Sequence, residues 1–204
     1  MEFSNFDLYG KQNEDEEKEE KQQNLSEIYK EKLLKERTVL VYGEITQDLA
    51  REVTSQLLLL AAINDDPITV YINSQGGHVE SGDTIHDIMR FIKPEVKVVG
   101  TGWVASAGIT IYLGADKENR YSLPNTRYMI HQPAGGVQGQ SVEIEIEARE
   151  IIRVRERVNQ IIADQTGQPL EKVRQDTDRN FWLSVDEAQD YGIVGKIITS
   201  SDDI

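Results

Sequence analysis

The chain has 204 residues, 38% of them hydrophobic, enough for one domain with a substantial core and perhaps an appendage. A formal net charge of −14 sets it against nonspecific binding to nucleic acid or to an anionic membrane. Cysteine is absent, which excludes disulfides, thiolate zinc sites and a cysteine nucleophile; no run approaches the roughly 20 apolar residues of a membrane span, and no basic-then-apolar signal segment opens the chain, so a cytoplasmic protein is expected.

Residues 1–24 are set apart by composition. "NEDEEKEEKQQN" has almost nothing to bury and reads as a disordered acidic tail ahead of a domain spanning 25–204. "SEIYKEKLLKER" (26–37) reads as a short helix with Ser26 as its cap, and "TVLVYG" (38–43) as a strand. Leu49, Val53, Leu57 and Leu60 recur at helical spacing within 46–64. "ITVYIN" (68–73) is the next strand, and Val79, Ile85, Ile88, Met89 and Ile92 mark a helix over 77–93 that Pro94 stops. "VKVVGTGWV" (96–104) is a strand, 106–115 a buried helix, and "RYMIH" (127–131) a further strand. Strands alternating with helices across short turns predict an α/β architecture with parallel strands.

The pattern then changes. "VEIEIE" (142–147) alternates strictly and reads as a projecting strand. Ile151, Val154, Val158, Ile161 and Ile162 give 149–167 the stripe of a long amphipathic helix. Such a helix either packs on its own domain or awaits a partner, which makes it a candidate oligomer contact.

Three stretches carry possible chemistry. Ser106 stands alone among small residues in "GWVASAG" (102–108), at a strand-to-helix junction where unpaired N–H groups favour developing negative charge. In "NSQGGHVESG" (73–82), a double glycine after a strand lets the backbone approach a ligand, with the Gly77 N–H as a donor. In "YMIHQPAGG" (128–136), His131 ends a strand at a rigid edge, as a general base requires. Taken singly, each is more simply a packing serine, a glycine turn and a structural histidine. His78 is expected to line the same cleft and His86 to lie on the surface of its helix; the spacing of the three histidines holds no metal motif.

Taken together and in order, "YINSQGG", "GWVASAG", "LPNTRYMIHQPAGGVQGQSVEIEIEA" and "DTDRNFWLSVDEAQDYGIV" resemble the ClpP family, the proteolytic subunits of the Clp protease, from about Ile28 to about Ile198. The resemblance implies a ClpP/crotonase-type α/β fold, a spiral of ββα units with a projecting strand–helix handle at about 137–166. It implies two seven-membered rings joined by their handles into a hollow tetradecamer, itself fed unfolded polypeptides by a Clp-family AAA+ unfoldase. ATP is spent by that partner, and no cofactor or metal is implied in this chain. By position, Ser106 resembles the nucleophile and His131 the general base. The N–H groups of Gly77 and Ala107 resemble the oxyanion hole, and Asp178 and Arg179 resemble a ring-to-ring salt bridge.

Several positions depart from the family pattern. The third triad position, aspartate in the family, is Asn180 here, in "DTDRN". An asparagine oxygen accepts a hydrogen bond but carries no charge to stabilise an imidazolium; in another serine protease the same change costs about 10⁴ in turnover. Ala107 stands where many relatives have methionine, Gln75 where proline is usual, and Thr69 where an aromatic helps hold the ATPase. Three readings follow: a serine endopeptidase weakly active alone, a low-activity structural subunit in a mixed complex with a paralogue, and, disfavoured by the serine–histidine pair, a crotonase-type acyl-CoA enzyme.

Overall fold

The computed structural model describes residues 28–204, and the acidic tail and Ser26 lie outside them. The chain falls into two compact units divided between Arg37 and Thr38. In the first, residues 28–35 are helical (α1). The second carries the sheet and everything that follows.

That sheet has seven strands: β1 (Thr38–Ile45), β2 (Ile68–Gly77), β3 (Val96–Ala105), β4 (Arg120–Ser122), β5 (Arg127–Ile130), β6 (Phe181–Leu183) and β7 (Lys196–Ile197). The main path runs β1-β2-β3-β4-β7, every pair parallel, while β5 branches from β3 and pairs antiparallel with β6. The branch begins at a bulge. Between Ile72↔Gly100 and Ser74↔Val104, two residues of β2 are matched by four of β3. Gly102 absorbs the bend at φ +62°, where a Cβ would come within 3.0 Å of the Asn73 amide. Thus Val98–Gly100 pair with β4, and Trp103–Ala105, nearest the serine, pair with β5.

Helices cover the sheet through the faces their periodicity predicts. In α2 (Gln47–Ile63), started by the Thr46 hydroxyl, Ala50, Val53, Leu57 and Leu60 are buried. In α3 (Val79–Phe91) the buried face is Ser81, Gly82, Ile85, His86 and Met89. Every residue of α4 (Ala107–Tyr112) is buried. Gly82 lets α3 approach α4 so closely that a Cβ there would lie 3.1 Å from the Ala107 methyl. Arg120 is also buried, its guanidinium donating to the Ala115 carbonyl (2.7 Å) and to the main-chain and side-chain oxygens of Gln165 (2.8 and 2.6 Å). Burial without a carboxylate lowers its pKa to about 10.

Two expectations are corrected. "VEIEIE" is no strand: α5 runs unbroken from Ser141 to Thr166, so the strand–helix handle is a single helix. A capping box between Gln140 and Glu143 starts it, and Arg149 pairs with Glu145 one turn away. The alternating Val142, Ile144 and Ile146 are all exposed, so no buried face existed to reward a strand's period of two. His86 is not a surface residue either. It is buried between α3 and α4, with Nδ1 2.8 Å from the Thr110 carbonyl, to which its N–H donates. Gly114 makes room, since a Cβ there would lie 3.4 Å from the ring nitrogen. Desolvation pushes the His86 pKa below its ordinary 6.5. Two further helices, α6 (Leu170–Asp176) and α7 (Val185–Tyr191), complete the chain around β6 and β7.

Candidate active site

Strand register assembles the site. Ala105 is level with Met129 across β3 and β5, and the Ser106 N–H continues the ladder to the Met129 carbonyl at 2.9 Å. Ser106 therefore leaves β3 beside the end of β5, where His131 follows Ile130. In the antiparallel pair, Ile130 faces Phe181, so the next residues outward are His131 and Asn180. Three strand ends thus deliver one hydroxyl, one imidazole and one amide to the same spot.

The contacts follow. His131 Nε2 lies 2.7 Å from Ser106 Oγ, and Nδ1 lies 3.0 Å from Asn180 Oδ1. With the amide oxygen facing the ring, the proton sits on Nδ1 and donates to Asn180. Nε2 then accepts from the Ser106 hydroxyl, the tautomer a general base requires. Ser106 has φ +55° and ψ −124°, a conformation costly for a residue with a side chain. It turns the chain sharply from β3 into α4 and projects Oγ out of the sheet. Gly76 packs beneath, where a Cβ would fall 2.5 Å from the Ser106 Cβ.

The supports of Asn180 come from α5. Thr177 Oγ1 donates to Asn159 Oδ1 (2.8 Å) inside the core, and the Thr177 carbonyl accepts from the Gln132 N–H at 2.6 Å. The Gln132 amide donates to the Asp178 carbonyl (2.8 Å), and Arg155 reaches the Asp178 carboxylate at 3.4 Å. Arg179 stands only 4.0 Å from Asp178 but is 93% exposed and points outward.

The double-glycine turn is equally fixed. Gly77 has φ +153° and lies so close to Ile45 that a Cβ would meet its carbonyl at 2.3 Å. The Ser74 hydroxyl donates to the Gly43 carbonyl (2.6 Å) and accepts from the Gly76 N–H (3.0 Å). Gln75 bridges β1 as well, its amide donating to Gly43 O and accepting from the Glu44 N–H, each at 3.2 Å. Ala107, the first residue of α4, belongs to a helical turn whose N–H groups lack intrahelical acceptors. His78 borders a cavity beside Gly77, as expected for a residue of the cleft.

Sequence reasoning missed Gly76, Asn159 and Thr177. Gly76 had a signal in its pairing with Gly77; Asn159 and Thr177 had none, because their contact joins residues 18 apart through tertiary packing. Among the described residues no group of histidines and carboxylates is arranged to hold a metal ion.

Fold and site together define a serine hydrolase built on a parallel α/β sheet. A family model described as Clp protease matches residues 19–201. The chain is 58% identical over 172 residues to the ATP-dependent Clp protease proteolytic subunit 3 of Rhizobium etli, covering 84% of this chain and 89% of that one. It is 56% identical over 171 residues to proteolytic subunit 2 of Pseudomonas aeruginosa, covering 84% and 85%. Among solved structures, ClpP1 from Listeria monocytogenes superposes with a TM-score of 0.78 at 67% identity, covering 86% of this chain and 98% of that one. An Asn-to-Asp mutant of that ClpP1 superposes at 0.80 with 69% identity, covering 84% and 96%. The chain belongs to the Clp protease family, as a serine endopeptidase subunit.

Proposed function

We propose that Ser106, His131 and Asn180 hydrolyse peptide bonds of unfolded polypeptides inside a Clp-type chamber, and that the chain alone is a weak peptidase. The observation that carries this reading is the hydrogen-bonded series from Ser106 Oγ through His131 to Asn180 Oδ1, at 2.7 and 3.0 Å.

Ser106 Oγ attacks the scissile carbonyl carbon while its proton passes to His131 Nε2. The oxyanion is received by the N–H groups of Gly77 and Ala107. The His131 proton then goes to the leaving amine as the C–N bond breaks, leaving an acyl-Ser106. Water, deprotonated by His131, attacks that ester and frees the serine. Throughout, Asn180 orients the ring without the charge that would stabilise the imidazolium, which supports low intrinsic turnover.

By analogy with the family, the chain works in seven-membered rings paired into a tetradecamer, fed by an AAA+ unfoldase that spends the ATP. Asp178 and Arg179 meet the opposite ring, and a better-equipped paralogue shares the particle. A cytoplasmic location fits the absence of cysteine; no helix among the described residues is long and apolar enough to cross a membrane. The alternative of a purely structural subunit gives no reason for a serine held at positive φ against an imidazole.

A small fluorophosphonate tests the chemistry. Intact mass and peptide mapping are expected to place one adduct on the "VASAG" peptide, lost in Ser106→Ala. Ser74 and Ser81 are buried, and an adduct on either would overturn the assignment.

A further inference from the structure

Beside the nucleophile lies a cavity of about 270 Å³, the scale of one side chain rather than of a whole ligand. It begins at Gly77, the donor proposed for the scissile carbonyl oxygen, and passes between the Pro133–Gly135 segment and α5. A carbonyl held at Gly77 N–H places the side chain of its own residue at the cavity mouth, one bond from the reacting carbon. The walls are apolar where a stem would lie, formed by Val79, Ile151 and Val154.

The rim is not apolar. Glu80, Glu147 and Glu150 all border the cavity, and no lysine or arginine does. Two of the carboxylates are partly neutralised nearby: Glu80 lies 3.4 Å from His78 Nε2, and Glu150 pairs with Arg153 one turn along α5. Glu147 makes no ion pair or hydrogen bond among the described residues. Its neighbour Arg149 is engaged by Glu145 instead. The nucleophile makes this cavity part of a reaction site; the carboxylates decide which side chain it prefers.

We infer that the enzyme favours lysine or arginine at the residue whose carbonyl Ser106 attacks, the aliphatic stem lying on Val79, Ile151 and Val154 and the cation meeting Glu147, with Glu80 and Glu150 adding to the field. This deepens the proposed peptidase reading and rests on it. A long basic side chain matches both halves of the cavity, since its methylenes bury on apolar surface while its charge stays near water. An acidic side chain would meet three carboxylates, and a short one would leave the floor uncovered. The rim is solvent-exposed, so the preference is modest and falls as salt rises.

The test uses the full-length protein in its native assembly and follows covalent labelling of Ser106 by intact mass. A small neutral fluorophosphonate first reports whether the serine site reacts at all. Two peptidyl diphenyl phosphonates are then compared, identical except for a lysine or a norleucine side chain beside phosphorus. In each, Oγ bonds to phosphorus, phenoxide leaves and the serine proton follows it by way of His131. The lysyl reagent is expected to label about three- to tenfold faster at low salt, the ratio shrinking toward one at high salt and in Glu147→Gln. Glu80→Gln is expected to give a smaller drop. Equal or faster labelling by the norleucyl reagent, with the fluorophosphonate still reacting, would overturn the inference and leave the peptidase reading intact. A ratio unmoved by Glu147→Gln would remove Glu147 as its source. Failure of the fluorophosphonate itself would sink the serine mechanism, and the inference with it.

Discussion

Asn180 puts a dipole where a serine protease ordinarily has a charge. Its Oδ1 already lies 3.0 Å from His131 Nδ1, so geometry and tautomer are in place and only the electrostatic term is missing. Asn180→Asp is therefore expected to raise peptidase turnover by about tenfold, roughly 1.4 kcal/mol in the barrier, well inside the about 10⁴-fold worth of an evolved aspartate. The gain belongs in kcat more than in KM, because the imidazolium exists mainly in the transition state. Wild-type turnover equal to the variant's would show that the charge is dispensable here. A second residue-scale prediction concerns His86. Its folded pKa is depressed by burial, while the unfolded ring titrates near 6.5. Above that pH the ring is neutral in both states; below it only the unfolded chain binds the proton, so stability falls with acidification. Asp83, Asp87 and Arg90 also act on the ring, and burial outweighs them. Denaturant midpoints measured from pH 7.5 to 5.5 are expected to fall in wild type, and less steeply in His86→Gln.

At the scale of elements, the site is the ends of β3, β5 and β6 held in register. On their exposed face Trp103 and Trp182 stack with centroids 6.4 Å apart, and the Arg127 guanidinium lies 4.6 Å from the Trp182 centroid. Each clamp residue belongs to one of the strands that carry Ser106, His131 and Asn180. Trp182→Ala is expected to cost about 1–2.5 kcal/mol of stability from the lost stack and cation–π contact. Peptidase activity should fall further than that loss explains, because β6 loosens beside Asn180. A full-activity variant with the expected loss of stability would show that the stack holds the fold and not the register. The other support is Thr177, whose hydroxyl bonds Asn159 in the core. Thr177→Val keeps the shape but strands the buried Asn159 oxygen, a loss of about 1–3 kcal/mol readable as a lower denaturant midpoint. This contact was invisible in the sequence, since neither residue carries a local pattern.

For the whole molecule, the exposed face of α5 is the feature that points beyond one chain. Val142, Ile144, Ile146 and Ile152 are all exposed on it. Rows of aliphatic side chains left in water are the ordinary mark of a surface that another subunit covers. Native mass spectrometry at micromolar concentration is expected to give particles of seven or fourteen chains, and a salt-independent monomer would refute the ring. Asp178 is already engaged within the chain by Arg155 and Gln132, whereas Arg179 points outward. Arg179→Ala is accordingly expected to shift fourteen-chain particles toward seven without unfolding the chain. An unchanged distribution would remove Arg179 from the contact between rings.

The sequence by itself determined the α/β class, the order from β1 to β5, and the two residues that do the covalent work. These are written locally: strands and helices differ in period, and Ser106 and His131 each sit where an element ends among small or rigid residues. The ordered resemblance of its motifs supplied the family and the third triad position. What only the tertiary structure decided is non-local. Alternation at 142–147 looks like a strand until a capping box and an i,i+4 ion pair extend the following helix through it. His86 looks like a polar surface residue until Gly82 and Gly114 bring two helices together around it. The register that sets Asn180 opposite His131, the Thr177–Asn159 contact and the acidic rim beside Gly77 all join residues distant in the chain. No local propensity encodes such pairings, because their free energy exists only once the sheet and helices have packed.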